Sequence, residues 1–203
     1  VDAAACIIAK AFCSEPLVIM RGIREAELLV LARAEARCCA TSGLGTVCMV
    51  ESCSSDSEVV GAFLCADWLQ PPAECDVGTD KFDTIFTFLE SLDEKFVDTL
   101  KRQPSKGEIL HQLMIGVKSG FERRGIARGM IEANLIHARS HGFQKAVMEA
   151  TGSFSQAAAK KCGYAIAVKS DTYEEYECNG EKPFSGAEIA TGHTHAELLV
   201  KSL

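Results

Sequence analysis

No stretch of this chain approaches the roughly 20 consecutive apolar residues that a membrane-spanning helix requires, so no membrane partner is expected. Val1 to Lys10 lack a basic region ahead of an apolar run and lack a cleavage pattern, so no signal peptide is expected either. Basic charge is scarce: the 203-residue chain carries a formal net charge of -7. A nucleic-acid binder presents a basic face. Here the basic residues mostly alternate with acidic ones, and nucleic acid is not an expected partner. The exception is Arg123, Arg124 and Arg128, a basic turn on an acidic protein, which points to a small anionic ligand. No C-x-x-C pair occurs and no His lies suitably close to two cysteines, so no metal site is expected. Internal repeats and low-complexity tracts are also missing.

What is present suits one folded domain spanning residues 1–203. The sequence is 47% hydrophobic and 24% charged, enough apolar material for a full core. Its ten cysteines are many for this length. Cys6, Cys13, Cys48, Cys65 and Cys162 fall within apolar runs and read as free thiols packed as small hydrophobes. That reading expects a reducing, cytoplasmic setting.

Periodicity divides the chain into two blocks. Residues 3–12 read as a helix with Ile7, Ile8, Ala11 and Phe12 on one stripe, ended by Pro16. Ile23 to Ala40 reads as a second amphipathic helix, stopped at Thr41-Ser42-Gly43. Thr46–Glu51 and Glu58–Leu69 read as strands joined by the polar loop Ser52–Asp56, and Pro71-Pro72 closes the block. Asp80 to Arg102 follows as a long helix with Ile85, Phe88, Leu89, Leu92, Phe96 and Leu100 inward. In the second block, strand Ile109–Lys118, helix Arg124–His141 and strand Lys145–Ala150 make a unit sized for a parallel crossover. A helix Ser153–Cys162, short strands Tyr164–Lys169 and Tyr173–Glu177, and a last strand His195–Lys201 complete an α/β fold with a mixed sheet.

The strand-to-helix junction in the second block carries the first chemistry. A helix start offers unpaired N–H donors and the positive end of the helix dipole. Gly125 and Ala127 keep side-chain bulk away, so a phosphate can approach the backbone around Ile126, and Arg123, Arg124 and Arg128 add charge. The nucleotide P-loop and the dinucleotide G-x-G-x-x-G turn both have different spacing.

Strand, turn and helix here resemble the acetyl-CoA motif of the GNAT superfamily of N-acetyltransferases, Q/R-x-x-G-x-G/A. Gly125 and Ala127 match it, while Glu122 stands where the motif has Gln or Arg. The resemblance covers most of the chain. It implies a mixed, mostly antiparallel central sheet flanked by helices, with a parallel strand–helix–strand unit for acetyl-CoA. Backbone groups of Ile115, Gly116 and Val117 are then expected along the pantetheine arm, and Lys161 to Tyr164 as the second cofactor wall.

A narrower resemblance is to the insect-type arylalkylamine N-acetyltransferases, which include the dopamine acetyltransferases. Phe12-Cys13-Ser14-Glu15-Pro16-Leu17 is similar to the family's F-x-D-E-P-L, and Val60-Gly61-Ala62-Phe63-Leu64 to its I-G-V-F-L. Thr151-Gly152-Ser153-Phe154-Ser155 lies where that family has two catalytic serines four residues apart, and Glu197–Lys201 resembles its closing strand. The strand that opens the family's domain, ahead of the first helix, is expected to be either absent or trimmed from this sequence.

The resemblance makes Glu15 the candidate general base. An alkylammonium group has a pKa of about 10 and must lose a proton before it attacks a thioester. A carboxylate in a partly desolvated cleft can accept that proton. Ser155 is the candidate for assisting the departing thiolate, with Thr151 in place of the family's first serine. The competing structural reading is that Thr151 or Ser153 caps the following helix. Ala159 occupies the place of the tyrosine acid that many GNAT enzymes use. Cys162 is the rival covalent nucleophile, though nothing in its sequence neighbourhood clearly lowers its pKa. His111, His193 and His195 are read as structural or surface residues. Trp68 and Phe63 are read as core, with Asp67 to Leu69 a plausible wall for an aromatic acceptor. The expected reaction is acetyl transfer from acetyl-CoA to a small primary amine, an arylalkylamine first. The alternatives are another acceptor (a polyamine, an amino acid or a protein N-terminus) or a CoA-binding module without transfer chemistry.

Overall fold

The computed structural model describes residues 1–51, 57–71 and 73–203; the Ser52–Asp56 loop and Pro72 lie outside the described residues. The chain begins with α1 (Asp2–Phe12), whose Ala4, Ala5, Ile7 and Ile8 make one buried stripe. Pro16 does more than end that helix. Its missing N–H and fixed φ suit the first position of a helix, and it opens α2 (Pro16–Met20), capped by Glu15. Sequence periodicity does not detect a helix this short. The helix α3 (Glu25–Ser42) ends where Gly43 takes a φ of 71° and closes the last turn.

One sheet of six strands runs through the molecule. Its strands are β1 (Thr46–Glu51), β2 (Ser57–Asp67), β3 (Ile109–Val117), β4 (Lys145–Ala150), β5 (Ala165–Lys169) and β6 (Glu197–Ser202), in the spatial order β1-β2-β3-β4-β6-β5. Neighbours are antiparallel except β3 and β4, which are parallel. The parallel pair is connected by α5 (Ile126–Ser140), the crossover that a parallel connection requires. Tyr173 to Glu177 is not a strand. Thr172 instead bonds Glu175 through both its hydroxyl and its backbone, turning the chain. Tyr173 and Tyr176 thereby enter an aromatic cluster with Phe88 and Phe184. Packing of these rings overrides the strand preference of Tyr.

Helices cover both faces of the sheet. On one side lie α1, α3 and α4 (Lys81–Leu100), which buries Phe82, Ile85, Phe88, Leu92 and Phe96; Leu89 and Leu100 are only partly buried. On the other lie α5 and α6 (Ser153–Lys161), over Phe63, Leu110, Ala146 and Met148. A second five-residue helix, α7 (Ala187–Thr191), packs near α2. Two glycines let helices approach the sheet from opposite sides. A Cβ at Gly116 would come within 3.0 Å of Ala11 in α1, and one at Gly61 within 2.9 Å of Met130 in α5. All nine described cysteines are free; Cys39, Cys65 and Cys162 are buried, while Cys13 and Cys75 are exposed. No helix among the described residues is long and apolar enough to cross a membrane.

Candidate active site

The parallel strands part company early. They pair only from Ile109 to His111 against Lys145 to Val147, although β3 runs on to Val117 and β4 to Ala150. A bulge at Leu113, where the β2 register slips between Leu64 and Cys65, marks the divergence. Such a bulge bends its strand, and here it steers β3 away from β4. Beyond the bulge, Ile115, Gly116 and Val117 pair with β2, and among the described residues no strand pairs the far side of β3 across the interval to β4.

Glu15 spans the mouth of that interval. The α1 helix that delivers it rests on Gly116 of β3. Its Oε1 accepts a hydrogen bond from the Thr151 hydroxyl, immediately after β4, and its Oε2 accepts the Leu17 N–H at 2.9 Å. Burial pushes the Glu15 carboxyl up to about 7, against the opposing effect of the bonds from Thr151, Leu17 and Val18. The carboxylate therefore combines a structural role, capping α2, with the proton affinity of a base working near neutrality. Neither Thr151 nor Ser153 caps α6: the N-cap is Gly152, with no side-chain bond. The Ser155 hydroxyl is half-buried and donates to the Gly152 carbonyl at 2.8 Å. Tyr173 braces the same corner by donating to the Thr151 carbonyl at 2.6 Å.

At the far end of β3 the turn leads into the open start of α5, and some of its backbone groups are already bonded by the protein itself. Gly120 and Gly125 have φ of 87° and 81°, and even Arg123 is held at 60°. A Cβ at Gly125 would meet nothing within 4 Å, so the helix start is open to a ligand. Yet Glu122 accepts the Gly120 N–H at 2.7 Å. Arg124 donates to the Gly120 carbonyl at 2.8 Å with its guanidinium over Phe121, and Arg128 pairs with Glu132 at 2.8 Å. Arg123, Arg124 and Arg128 are exposed; Ile126 and Ala127 are half-buried, with Ile126 packed against Gly61.

The sequence matches no family model and no curated protein. Solved structures do match. The C-terminal condensation domain of Ebony, in complex with β-alanyl-dopamine, superposes with a TM-score of 0.81 at 20% identity, over 98% of this chain and 92% of that one. Arylalkylamine N-acetyltransferase 2 from Aedes aegypti gives 0.72 at 18% identity, over 98% and 94%. An agmatine N-acetyltransferase gives 0.67 at 16% identity, over 95% and 89%. The fold is that of the GNAT N-acetyltransferases.

Within that GNAT fold, His193 has a place that its sequence context did not reveal. Its Nδ1 accepts the Ser153 N–H at 3.1 Å, so an imidazole supplies the cap that no hydroxyl provides to α6. Accepting on Nδ1 leaves the ring hydrogen on Nε2. A Cβ at Gly152 would lie 3.9 Å from Ser155 Oγ and 4.0 Å from His193 Nε2, so the two share one corner. A buried network also anchors the bulge. Gln112 donates to Asn134 of α5 at 2.9 Å, Tyr164 donates to Gln112 at 2.5 Å, and Asn134 donates to the Leu44 carbonyl at 2.8 Å. Cys162 sits at the opposite end of α6 from Thr151, and burial pushes its thiol up, with the Glu132 charge adding to the effect. It is a poor nucleophile there. Ala159 is buried in the core under α6. Phe63 is fully buried in the core, as expected, whereas Trp68 is partly buried against Phe96 and His111. Among the described residues, no three His, Cys, Asp or Glu side chains converge as metal ligands.

Proposed function

We propose that the chain, acting as one GNAT domain over residues 1–203, transfers an acetyl group from acetyl-CoA to the primary amine of a small molecule in a ternary complex. The observation that carries this reading is the position of Glu15: a carboxylate with a pKa of about 7, placed across the opening between two diverging parallel strands. The diphosphate of CoA lies against the amides of the turn at Gly125, Ile126 and Ala127, with Arg123, Arg124 and Arg128 supplying charge. The pantetheine arm follows the free edge of β3 at Ile115, Gly116 and Val117. Of the two candidate backbone donors, Gly116 N–H turns toward Ala62 of β2, so the Val117 N–H on the free edge polarises the thioester carbonyl and stabilises the oxyanion.

Glu15 takes one ammonium proton, the free amine attacks the thioester carbon, and the C–S bond breaks as the tetrahedral intermediate collapses, the second nitrogen proton balancing the one that the thiolate takes up. The thiolate leaves at the α6 corner, where Ser155 assists its protonation. Thr151 holds the Glu15 carboxylate in place. The free thiols of the described cysteines suit a reducing compartment such as the cytoplasm.

The acceptor favoured by the sequence resemblance is an arylalkylamine, tryptamine-, serotonin- or dopamine-like. Two of the similar structures support it, one solved with β-alanyl-dopamine and one an arylalkylamine acetyltransferase. A second reading, a different amine, is favoured by a group of acidic side chains between β3 and β4. Incubation with acetyl-CoA and a panel of phenethylamine-like, tryptamine-like and polyamine acceptors, read by mass spectrometry, tests both. An acetylated amine is expected. CoA binding with no acetylated product from any amine would make the chain a binding module instead.

A further inference from the structure

Between β3 and β4, closer to where the strands still pair, lies a second set of titratable groups that the transfer scheme does not use. His111 of β3 bonds Glu149 of β4 across the gap, Nε2 to Oε2 at 2.8 Å. The Glu149 side chain is only 7% exposed, and its other oxygen, Oε1, is buried without a donor. Asp93, reaching in from α4, has Oδ1 in the same condition. Glu35 of α3 faces His111 and accepts the Ala73 N–H at 3.2 Å. The Trp68 ring lies 4.8 Å from that of His111. Among the described residues no lysine or arginine pairs with Glu35, Asp93 or Glu149.

The group holds three carboxyls to one imidazole, and its charge is shared between them by proton placement. Burial and the neighbouring Glu149 charge push Asp93 up to about 8. Burial also disfavours ionised Glu149, but His111 outweighs it and holds that carboxyl low. In the free protein the raised Asp93 carboxyl keeps its proton and shares it with Glu149 in a carboxyl–carboxylate hydrogen bond. A ligand bearing N–H donors and positive charge can replace that shared proton, donating to both carboxylates at once.

The geometry relates this group to the reacting amine. Glu149 and Thr151 are two residues apart along β4 and its extension, so they share a face and stand about 7 Å apart. Thr151 holds Glu15. We propose that Glu149 and Asp93 form a subsite for a second cationic nitrogen of the acceptor, so that the amine offered to Glu15 belongs to a short diamine or guanidino-amine, with Trp68 beside its alkyl chain. About four or five methylenes between the two nitrogens span that distance. The proposal rests on the acetyl-transfer reading for the position of the first nitrogen.

Calorimetric titration of the CoA-saturated protein with 1,4-diaminobutane and with butylamine tests the subsite without requiring turnover. The diamine is expected to bind about tenfold tighter or better, the effect of one charge-assisted hydrogen bond. Asp93→Asn and Glu149→Gln, near-isosteric changes, are expected to close that gap. Equal affinity for the two amines in the unaltered protein, or binding of neither, would overturn the subsite. So would a gap that survives both substitutions. Tight diamine binding with no acetylated product would leave the subsite standing and overturn the transfer reading. Acetylation of both amines at equal efficiency, with no affinity gap, would do the reverse.

Discussion

Thr151 and Glu15, 136 positions apart in sequence, are joined by a hydrogen bond from the threonine hydroxyl to the glutamate carboxylate. The bond ties the corner between α1 and α2 to the end of β4. It closes the interval between β3 and β4 on one side with the carboxylate proposed as the general base. Three expectations about the candidate machinery begin at this corner, and one at the phosphate turn.

Activity should follow the ionisation of Glu15. Its carboxyl titrates at about 7 because burial disfavours the charge, and only the ionised form accepts the ammonium proton. The rate at subsaturating amine should therefore rise with pH through about 7 and then level, once corrected for free amine. Stability runs the other way. A carboxyl with a raised folded pKa contributes fully below its unfolded value of about 4.3 and loses that contribution as pH climbs through 7. Glu15→Gln should thus gain on the natural protein in Tm between pH 5 and pH 8, read by thermal melts across that range.

Removing the Thr151 hydroxyl should move the pH profile. The hydrogen bond favours the ionised carboxylate, partly opposing burial. Thr151→Val should shift the rising limb to higher pH, while Thr151→Ser keeps it in place. A Val variant with an unshifted limb would detach Thr151 from the base.

The turn around Gly125 invites a gain of function. Glu122 occupies the Gly120 N–H and sets a negative charge where a diphosphate is proposed to lie. Glu122→Gln should lower the KM for acetyl-CoA by about three- to tenfold, the scale of one charge-assisted hydrogen bond or less. The change in kcat should be small. A KM that stays the same or rises would place the diphosphate elsewhere.

His193 should matter through the start of α6. Losing the acceptor for the Ser153 N–H costs about 1 kcal/mol, as the loss of an N-cap does. His193→Ala should lower stability by that amount in denaturant melts and reduce kcat, because Ser155 sits at the same corner. His193→Asn, which can still accept, should recover part of the stability.

Much of this arrangement was legible in the sequence where local pattern and tertiary packing agree. The β3–turn–α5–β4 unit was visible because its strands are continuous apolar runs and its turn carries Gly120 and Gly125 at positive φ. Most of the α4 face was visible for the same reason: Ile85, Phe88, Leu92 and Phe96 recur at helical spacing, while Phe82 in the first turn was not picked out and Leu89 and Leu100 prove only partly buried. The short helices α2 and α7, each five residues, hold by docking and have no period to detect. Tyr173 reads as a strand residue by propensity and ends as a buried ring against Phe88 and Phe184.

At the candidate site, Glu15 and Thr151 were found through their flanking motifs, and the structure brings them together. The group of Asp93, His111 and Glu149 was not visible at all. Its members lie on α4, β3 and β4, and only the fold brings their side chains into reach. The cap supplied by His193 was hidden likewise, because it acts on a residue 40 positions away.

The most direct test of the central claim is free-thiol release from acetyl-CoA at pH 8, with and without a primary amine, for the natural protein and for Glu15→Gln. A positioned general base contributes about a hundredfold or more. The account predicts amine-dependent thiol release that falls by at least about that factor in the variant, with CoA binding retained. Equal release by the two proteins would contradict it.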